Sequence, residues 1–190
     1  MGRVLSSVRA SAAEAAAPRP GDDLVPDARV VVMDRGFTVD APPEAVWPWI
    51  VQLGKRRAGW YFPRRVERWI PRSRRAIRGI DPRWQLLAVG DVIPDYGGRD
   101  ATFTVDRIEA QTSIVYRSQR GRTEISWDIS LHDASSAGAI DTEGVGATRV
   151  HLRLRLAPVR RRWLAESVGD AFDALTIAGM AAGLRERLGV

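Results

Sequence analysis

The sequence has no cysteine, one lysine and only two histidines among its 190 residues. The lack of cysteine excludes a disulfide framework, a thiol nucleophile and a cysteine-ligated zinc site. No run approaches the ~18 consecutive apolar residues that predict a transmembrane helix, and the N-terminal residues lack the apolar stretch of a signal peptide. These absences predict a cytoplasmic protein that needs no metal ion or cofactor.

Sequence motifs for catalysis are also missing. His132 and His151 have no serine or carboxylate partner at a recognisable spacing, and there is no nucleophile elbow, zinc-protease motif or phosphate-binding loop. Enolisation or aldol-type cyclisation needs only an apolar site, a carboxylate or tyrosine, and an ordered water, so an enzyme stays possible. The candidate acids, bases and hydroxyl donors are Glu67, Asp91, Asp128, Asp170, Tyr61, Tyr96 and Tyr116.

The positive charge is concentrated in one segment. Of the 29 basic residues all but Lys55 are arginine, and 11 of them lie in residues 55–83, against Glu67 and Asp81. The net charge of the whole chain is +6. The basic character therefore belongs to this segment.

The order of the secondary-structure patterns predicts an α+β fold. Alternating and β-branched stretches indicate strands, and apolar residues at helical spacing indicate helices. Residues 1–20 are predicted to form a mobile tail, and residues 21–190 a single domain. The predicted strands are 28–41, 86–95, 101–110, 112–119, 123–132 and 147–158, and the predicted helices are 43–54, 59–70 and 160–188.

Two strands alternate so cleanly that one face of the sheet is expected to contact solvent. In residues 123–132 the apolar positions are Ile125, Trp127, Ile129 and Leu131. In the C-terminal helix an apolar stripe is predicted to cover the other face; its residues are Leu164, Val168, Phe172, Leu175 and Leu184.

Several stretches resemble the START-like, helix-grip superfamily, also described as SRPBCC or polyketide cyclase/dehydrase-like, in a bacterial branch. They are PGDDLVP at 20–26, FTVDAPPEAVWPWIVQLG at 37–54, AGWY at 58–61, VERW at 66–69, WQLLAVGDVIP at 84–94 and FDALTIAGMAAGLRERL at 172–188. The resemblance implies a helix-grip fold, in which a curved antiparallel sheet of about six strands wraps around the long C-terminal helix. Two short helices then follow the first strand.

The resemblance favours a cavity for a small hydrophobic or amphipathic molecule between sheet and C-terminal helix. The alternative is that the same side chains fill the core. The predicted wall consists of Phe103, Tyr116, Trp127 and Met180, and the predicted mouth of Trp49, Trp60 and Tyr61. Trp47 and Trp49 lie about 200° apart on a helix, so only one of them is expected to anchor the helix to the sheet.

In a helix-grip fold the basic segment covers one end of the cavity, and Arg56 and Arg57 are the candidate contacts to a carboxylate or phosphate of the ligand. A polyketide cyclase or dehydrase-like enzyme is the main alternative function. A third interpretation is an arginine patch that binds nucleic acid or an anionic membrane surface, and a plainly solvated surface is the simplest. Nucleic acid is the less favoured partner, and the sequence leaves the oligomeric state open.

Overall fold

The computed structural model describes residues 7–27, 29–134, 146–159, 163 and 169–190. Its centre is a six-stranded antiparallel sheet in the order β1-β6-β5-β4-β3-β2. The strands are β1 (Val31–Val39), β2 (Val92–Pro94), β3 (Thr102–Glu109), β4 (Ser113–Arg120), β5 (Thr123–Asp133) and β6 (Thr148–Ala157). The helices are α1 (Ala12–Ala16), α2 (Pro43–Gln52), α3 (Arg64–Glu67) and α4 (Asp170–Leu188).

The predicted α+β helix-grip architecture is confirmed. Strands β3, β4 and β5 form a meander, and β6 returns to lie between β5 and β1. Helices α2 and α3 lie between β1 and β2 in the chain, and α4 follows β6. The predicted helix 59–70 is much shorter than expected, because Gly59 has a positive φ of 87° and the helix begins only after Pro63.

Helix α4 packs on the inner face of the sheet through a few of its side chains. Ile177, Met180 and Leu184 are buried there. The predicted stripe is wrong at Phe172 and Leu175, which are 71% and 53% exposed, since the helix turns its smaller residues towards the protein. Leu164 and Val168 lie outside the described residues.

The two tryptophans of helix α2 have different environments. Pro43 occupies its first turn, where a missing N–H costs little. Trp49 is buried and meets the edge of the Tyr61 ring at a centroid distance of 5.6 Å. Trp47 points elsewhere and is only partly buried against the core. Trp49 is therefore the anchor of this helix.

The middle of the outer face of the sheet is buried, contrary to the prediction from alternation, whereas Glu124, His132 and Arg117 at its margins are exposed. Ser126, Asp128 and Ser130 on β5 are at most 2% exposed. Residues 7–27 run along the edge of β1 and then over these residues; a Cβ atom on Gly21 would contact Val115 at 3.1 Å. The polar face is therefore buried beneath a chain segment that carries polar groups of its own.

This covering segment includes most of the predicted mobile tail. Its described part, residues 7–20, contains α1, whose N-terminus is closed by a capping box between Ser11 and Glu14. Val8 is buried, and its carbonyl accepts a hydrogen bond from Gly36 N at 3.0 Å. Residues 7–20 are thus packed on the sheet rather than separate from it. The domain boundary at residue 20 stays a prediction.

No helix in the described ranges is both long and apolar enough to cross a membrane.

Candidate functional site

A cavity of about 190 Å³ lies between the inner face of the sheet and the first half of α4. Strand alternation puts its wall residues on one face, and antiparallel pairing sets Trp127 opposite Leu154 and Ile125 opposite Leu156. Its lining residues are Trp60, Asp95, Phe103, Arg120, Ile125, Trp127, Leu154, Leu156, Asp173, Thr176 and Ile177. A space slightly larger than an engineered cavity of ~150 Å³ that takes up benzene suits a small ring system.

Four aromatic rings form the main wall of the cavity and of a smaller adjoining pocket. The Trp127 ring lies at their centre, with ring centroids 5.4 Å from Tyr116, 5.7 Å from Phe103 and 6.1 Å from Trp60. The Trp60 indole N–H donates to the Thr176 carbonyl on α4 at 3.3 Å. This hydrogen bond holds Trp60 between helix and sheet.

One polar group of the cavity is a balanced ion pair. Arg120 on β4 pairs with the Asp95 carboxylate, and its guanidinium carbon lies 5.5 Å from the Phe103 ring centroid. Lys55 Nζ donates to the Asp95 carbonyl at 2.8 Å. These contacts join the segment after β2 to the wall of the cavity.

The second polar group lies at the start of α4. Arg35 Nε on β1 approaches Asp173 Oδ2 at 2.9 Å, and Arg35 Nη2 pairs with Asp170. Burial raises the pKa of Asp173 to about 6; the Arg35 guanidinium opposes the rise and the Asp170 carboxylate adds to it. An aspartate with such a pKa exchanges its proton close to neutral pH.

The structure brings together four of the predicted ligand-binding residues. Trp60, Phe103 and Trp127 line the cavity, and Tyr116 lines the adjoining pocket of about 30 Å³. Tyr61 and Met180 are instead completely buried in the core.

Tyr61 has a structural environment. Its hydroxyl donates to the Trp49 carbonyl at 2.8 Å, and the Arg187 guanidinium lies 4.7 Å from its ring centroid. Burial raises the pKa of the Tyr61 hydroxyl. Trp49 and Tyr61 therefore connect α2 to the core, and neither belongs to the residues that line the cavity.

The two predicted anion contacts lie elsewhere. Arg57 Nη2 donates to the Val51 carbonyl at 3.0 Å and to the Trp84 carbonyl at 2.8 Å. Arg56 is exposed, with a positive φ of 62°. Neither belongs to the residues that line the cavity.

The rest of the basic segment contains exposed arginines, some of which have hydrogen-bond or ion-pair partners within the protein. Arg75 and Arg83 are exposed but engaged: Arg75 Nε donates to the Ile70 carbonyl at 2.8 Å, and Arg83 pairs with Asp81 at 2.6 Å. Arg65 and Arg72 are also exposed. Trp69 is 81% exposed, and the Arg68 guanidinium carbon lies 5.5 Å from its ring centroid. An interaction of this surface with nucleic acid or an anionic membrane stays a prediction.

Most acids considered from the sequence have structural partners outside the cavity. Glu67 pairs with Arg187 at 2.6 Å and with Arg78 at 2.7 Å. Asp128 lies on the outer face, where burial raises its pKa. Asp91 accepts a hydrogen bond from Ala88 N at 2.9 Å. Within the described ranges, no three histidine, aspartate or glutamate side chains gather closely enough to hold a metal ion.

Sequence reasoning missed the polar groups of the cavity: Asp95, Arg120, Asp173 and Thr176. One signal was present, since Asp173 lies four residues before Ile177 and therefore on the same helix face. A charged residue on an otherwise apolar face is uncommon unless it is paired or functional.

Among solved structures, this chain is similar to protein MLL2253 from Mesorhizobium loti, with 17% identity over 85% of this chain and 97% of that chain and a TM-score of 0.44. It is similar to CalU16 from Micromonospora echinospora, with 20% identity over 83% of each chain and a TM-score of 0.41. For DynU16, a protein of the dynemicin biosynthetic locus, the identity is 17% over 84% of this chain and 47% of that chain, with a TM-score of 0.47. This chain thus spans about half the length of DynU16. No family model matches the sequence, and no curated protein matches it.

Proposed function

We propose that this protein binds a small, mostly apolar molecule that carries a ring, in the cavity between the sheet and α4. The observation behind the proposal is the space of about 190 Å³ that the core side chains leave open beside three aromatic rings. Aromatic walls with a few polar groups are the usual composition of ligand sites. Binding would cover apolar surface on Trp60, Phe103 and Trp127 that otherwise faces an open space.

The polar groups give the site a means of orienting the ligand. The Asp95–Arg120 pair and the Asp173 carboxylate lie among apolar residues. Electrostatic interactions are stronger in such surroundings than in water. An amphipathic molecule with one polar substituent therefore suits the site better than a purely apolar one.

One observation favours an enzyme as the second candidate. Asp173 lines the cavity, and its pKa of about 6 suits a general acid or base at neutral pH. A cyclase or dehydrase-like reaction would use that carboxyl to move a proton on the bound molecule.

Native mass spectrometry of the freshly purified protein, followed by solvent extraction, tests the proposal. A variant that fills the cavity, Thr176→Phe, is compared with Leu175→Phe, because Leu175 is the adjacent helix residue and is 53% exposed. We expect an extractable extra mass, or uptake of added 1-methylnaphthalene, in the native protein and in Leu175→Phe. Thr176→Phe should lose it.

Equal uptake by the two variants would place the binding site elsewhere and contradict the proposal. The identity of the extracted molecule separates the two functions. A binding protein returns an added compound unchanged. A cyclase returns an isomer of the same mass with a different chromatographic retention, and a dehydrase-like enzyme returns a product lighter by one molecule of water.

A further inference from the structure

We infer that the ligand carries a protonated amine beside its ring, and that the Asp173 carboxylate holds this amine. The inference rests on the proposed function and names the chemical class of its ligand. It follows from the charges that surround the cavity.

Among the residues that the structure describes, the charges at the start of α4 do not balance. Arg35 is the cation that pairs with both Asp170 and Asp173, so the three groups together carry one net negative charge when both carboxylates are ionised. A second cation would neutralise the group. Desolvation makes an uncompensated charge unfavourable, and a matched pair relieves part of that cost.

The hydrogen bonds of Arg35 direct it away from the cavity. Its Nη1 donates to the Asp34 carbonyl at 2.9 Å, and its Nη2 donates to the Asp170 carbonyl at 2.8 Å. Only Nε pairs with Asp173, through Oδ2. Asp173 is the member of the trio that lines the cavity, so a ligand would meet a carboxylate there and not the guanidinium.

The other charges that line the cavity do not favour an anion; Lys55 lines only the adjoining pocket, where its Nζ donates to the Asp95 carbonyl at 2.8 Å. Arg120 is neutralised by Asp95, and it lies on the Phe103 ring. Arg56 and Arg57 do not line the cavity. A carboxylate or phosphate ligand would therefore face the Asp173 carboxylate in surroundings where like charges repel strongly.

The aromatic wall also suits a cation. Trp60 and Trp127 line the cavity beside Asp173. The face of an indole ring attracts an ammonium group, and the attraction grows when both are shielded from water. The ring of the ligand and its ammonium group thus each have a matching surface.

Calorimetric titration with three probes that share one ring tests the inference. The probes are 1-naphthylmethylamine, neutral 1-methylnaphthalene and anionic 1-naphthoate, at pH 7.5. We expect the amine to bind about tenfold more tightly than the neutral probe, as for a partly desolvated ion pair, and 1-naphthoate to bind most weakly. Asp173→Asn should remove the advantage of the amine over 1-methylnaphthalene.

Asp170→Asn is the matched control, because Asp170 also pairs with Arg35 but does not line the cavity. It should lower the preference for the amine less than Asp173→Asn does, because it removes the excess negative charge but leaves the carboxylate that lines the cavity. An unchanged amine-to-neutral ratio in Asp173→Asn, or tightest binding of 1-naphthoate, would overturn the inference and leave the proposed function standing. Failure of all three probes to bind would overturn the proposed function itself.

The pH dependence of binding to the native protein tests the inference without any variant. The groups that face Asp173 are Arg35 from β1 and Asp170 from α4, and the Asp95–Arg120 pair borders the same cavity. Burial raises the pKa of Asp173 to about 6, so its carboxylate is lost as the pH falls from 7.5 to 5, while the amine stays protonated. The amine-to-neutral ratio should fall towards one over this range, and a constant ratio would contradict the inference.

Discussion

The buried Asp173 carboxylate lowers the free energy of unfolding, and this effect can be measured separately from binding. Burial raises its pKa from 3.8 to about 6, so the folded protein binds this proton more tightly than the unfolded chain does. Protonation of Asp173 therefore stabilises the folded protein fully below pH ~4, and this stabilisation is lost as the pH rises through ~6. Above that pH the charged carboxylate destabilises the fold.

We expect Asp173→Asn to raise the free energy of unfolding at pH 7.5 by on the order of 1–3 kcal/mol, because each pKa unit corresponds to 1.36 kcal/mol. Near pH 4 the variant and the native protein should be almost equally stable. Urea unfolding at the two pH values measures this. A variant that is less stable at pH 7.5 would mean that the contact with Arg35 outweighs the burial of the charge.

The place of a residue in the cavity could be predicted from the sequence for some residues and not for others. Phe103, Tyr116 and Trp127 could be predicted as neighbours because strand alternation fixes the face to which each one points. For Asp173 the spacing from Ile177 is a signal but does not decide, because an acidic residue in the first turn of a helix is equally expected to be exposed and to interact with the helix dipole. Its burial depends on Arg35, which lies on β1 near the other end of the chain.

At the scale of elements, two glycines let α4 approach the chain after α2. A Cβ atom on Gly183 would lie 2.7 Å from the backbone carbonyl carbons of Tyr61 and Phe62. A Cβ atom on Gly179 would lie 2.7 Å from two ring carbons of Phe62. A side chain can rotate away from such a contact, whereas a backbone in a packed core cannot.

Alanine should therefore have different effects at the two glycines. An overpacked core costs about 1–3 kcal/mol, and replacing glycine by alanine inside a helix gains about 1 kcal/mol. We expect Gly183→Ala to destabilise by ~1–2 kcal/mol and Gly179→Ala to be close to neutral in chemical unfolding. If Gly183→Ala is as stable as Gly179→Ala, the approach of α4 to residues 61–62 is looser than the structure describes.

The same packing explains why the face of α4 was predicted incorrectly. A stripe drawn through large apolar residues gave Phe172 and Leu175, but the buried positions include Ala174, Ala178 and Ala181. Helical periodicity identifies an apolar face when size and burial agree. In α4 the helix packs closely through small residues, so small side chains are buried and large ones are exposed. The sequence alone does not indicate this arrangement.

At the scale of the whole molecule, the sheet is covered on its inner face and over the middle of its outer face. Helices α2 and α4 and the cavity lie on the inner face. Residues 14–25 lie on the outer face, and residues 8 and 9 run along the edge of β1. The order of strands and helices, together with the family resemblance, was enough to predict the inner arrangement. The outer cover could not be predicted, because alternation shows that a strand face is polar but not whether polar groups elsewhere in the chain are available to bury it.

Arg153 on β6 is the main link between the sheet and this cover. It is 4% exposed, and it pairs with Asp34 Oδ1 at 2.8 Å on the sheet and with Asp22 Oδ2 at 3.0 Å in the covering segment. It also donates to the backbone carbonyls of Ala15 at 2.7 Å and Ala17 at 2.9 Å. Nearby, Glu14 pairs with Arg149 at 2.7 Å, and the Arg149 guanidinium lowers the pKa of Glu14 to about 2.

Deletion of residues 1–19 should therefore destabilise the whole fold without altering the cavity. The deletion removes the carbonyl partners of Arg153 and the Glu14 partner of Arg149, while Arg153 keeps Asp22 and Asp34. A lost hydrogen bond to a charged group costs about 1.5–3 kcal/mol. We expect a lower melting temperature by circular dichroism, but unchanged binding of 1-methylnaphthalene below that temperature, since the cavity lies on the opposite face. If the shortened chain does not fold, Glu14→Gln offers a milder test, with a smaller loss of stability at pH 7. A shortened chain as stable as the full one would show that residues 1–19 form a separate tail, as the sequence alone suggested.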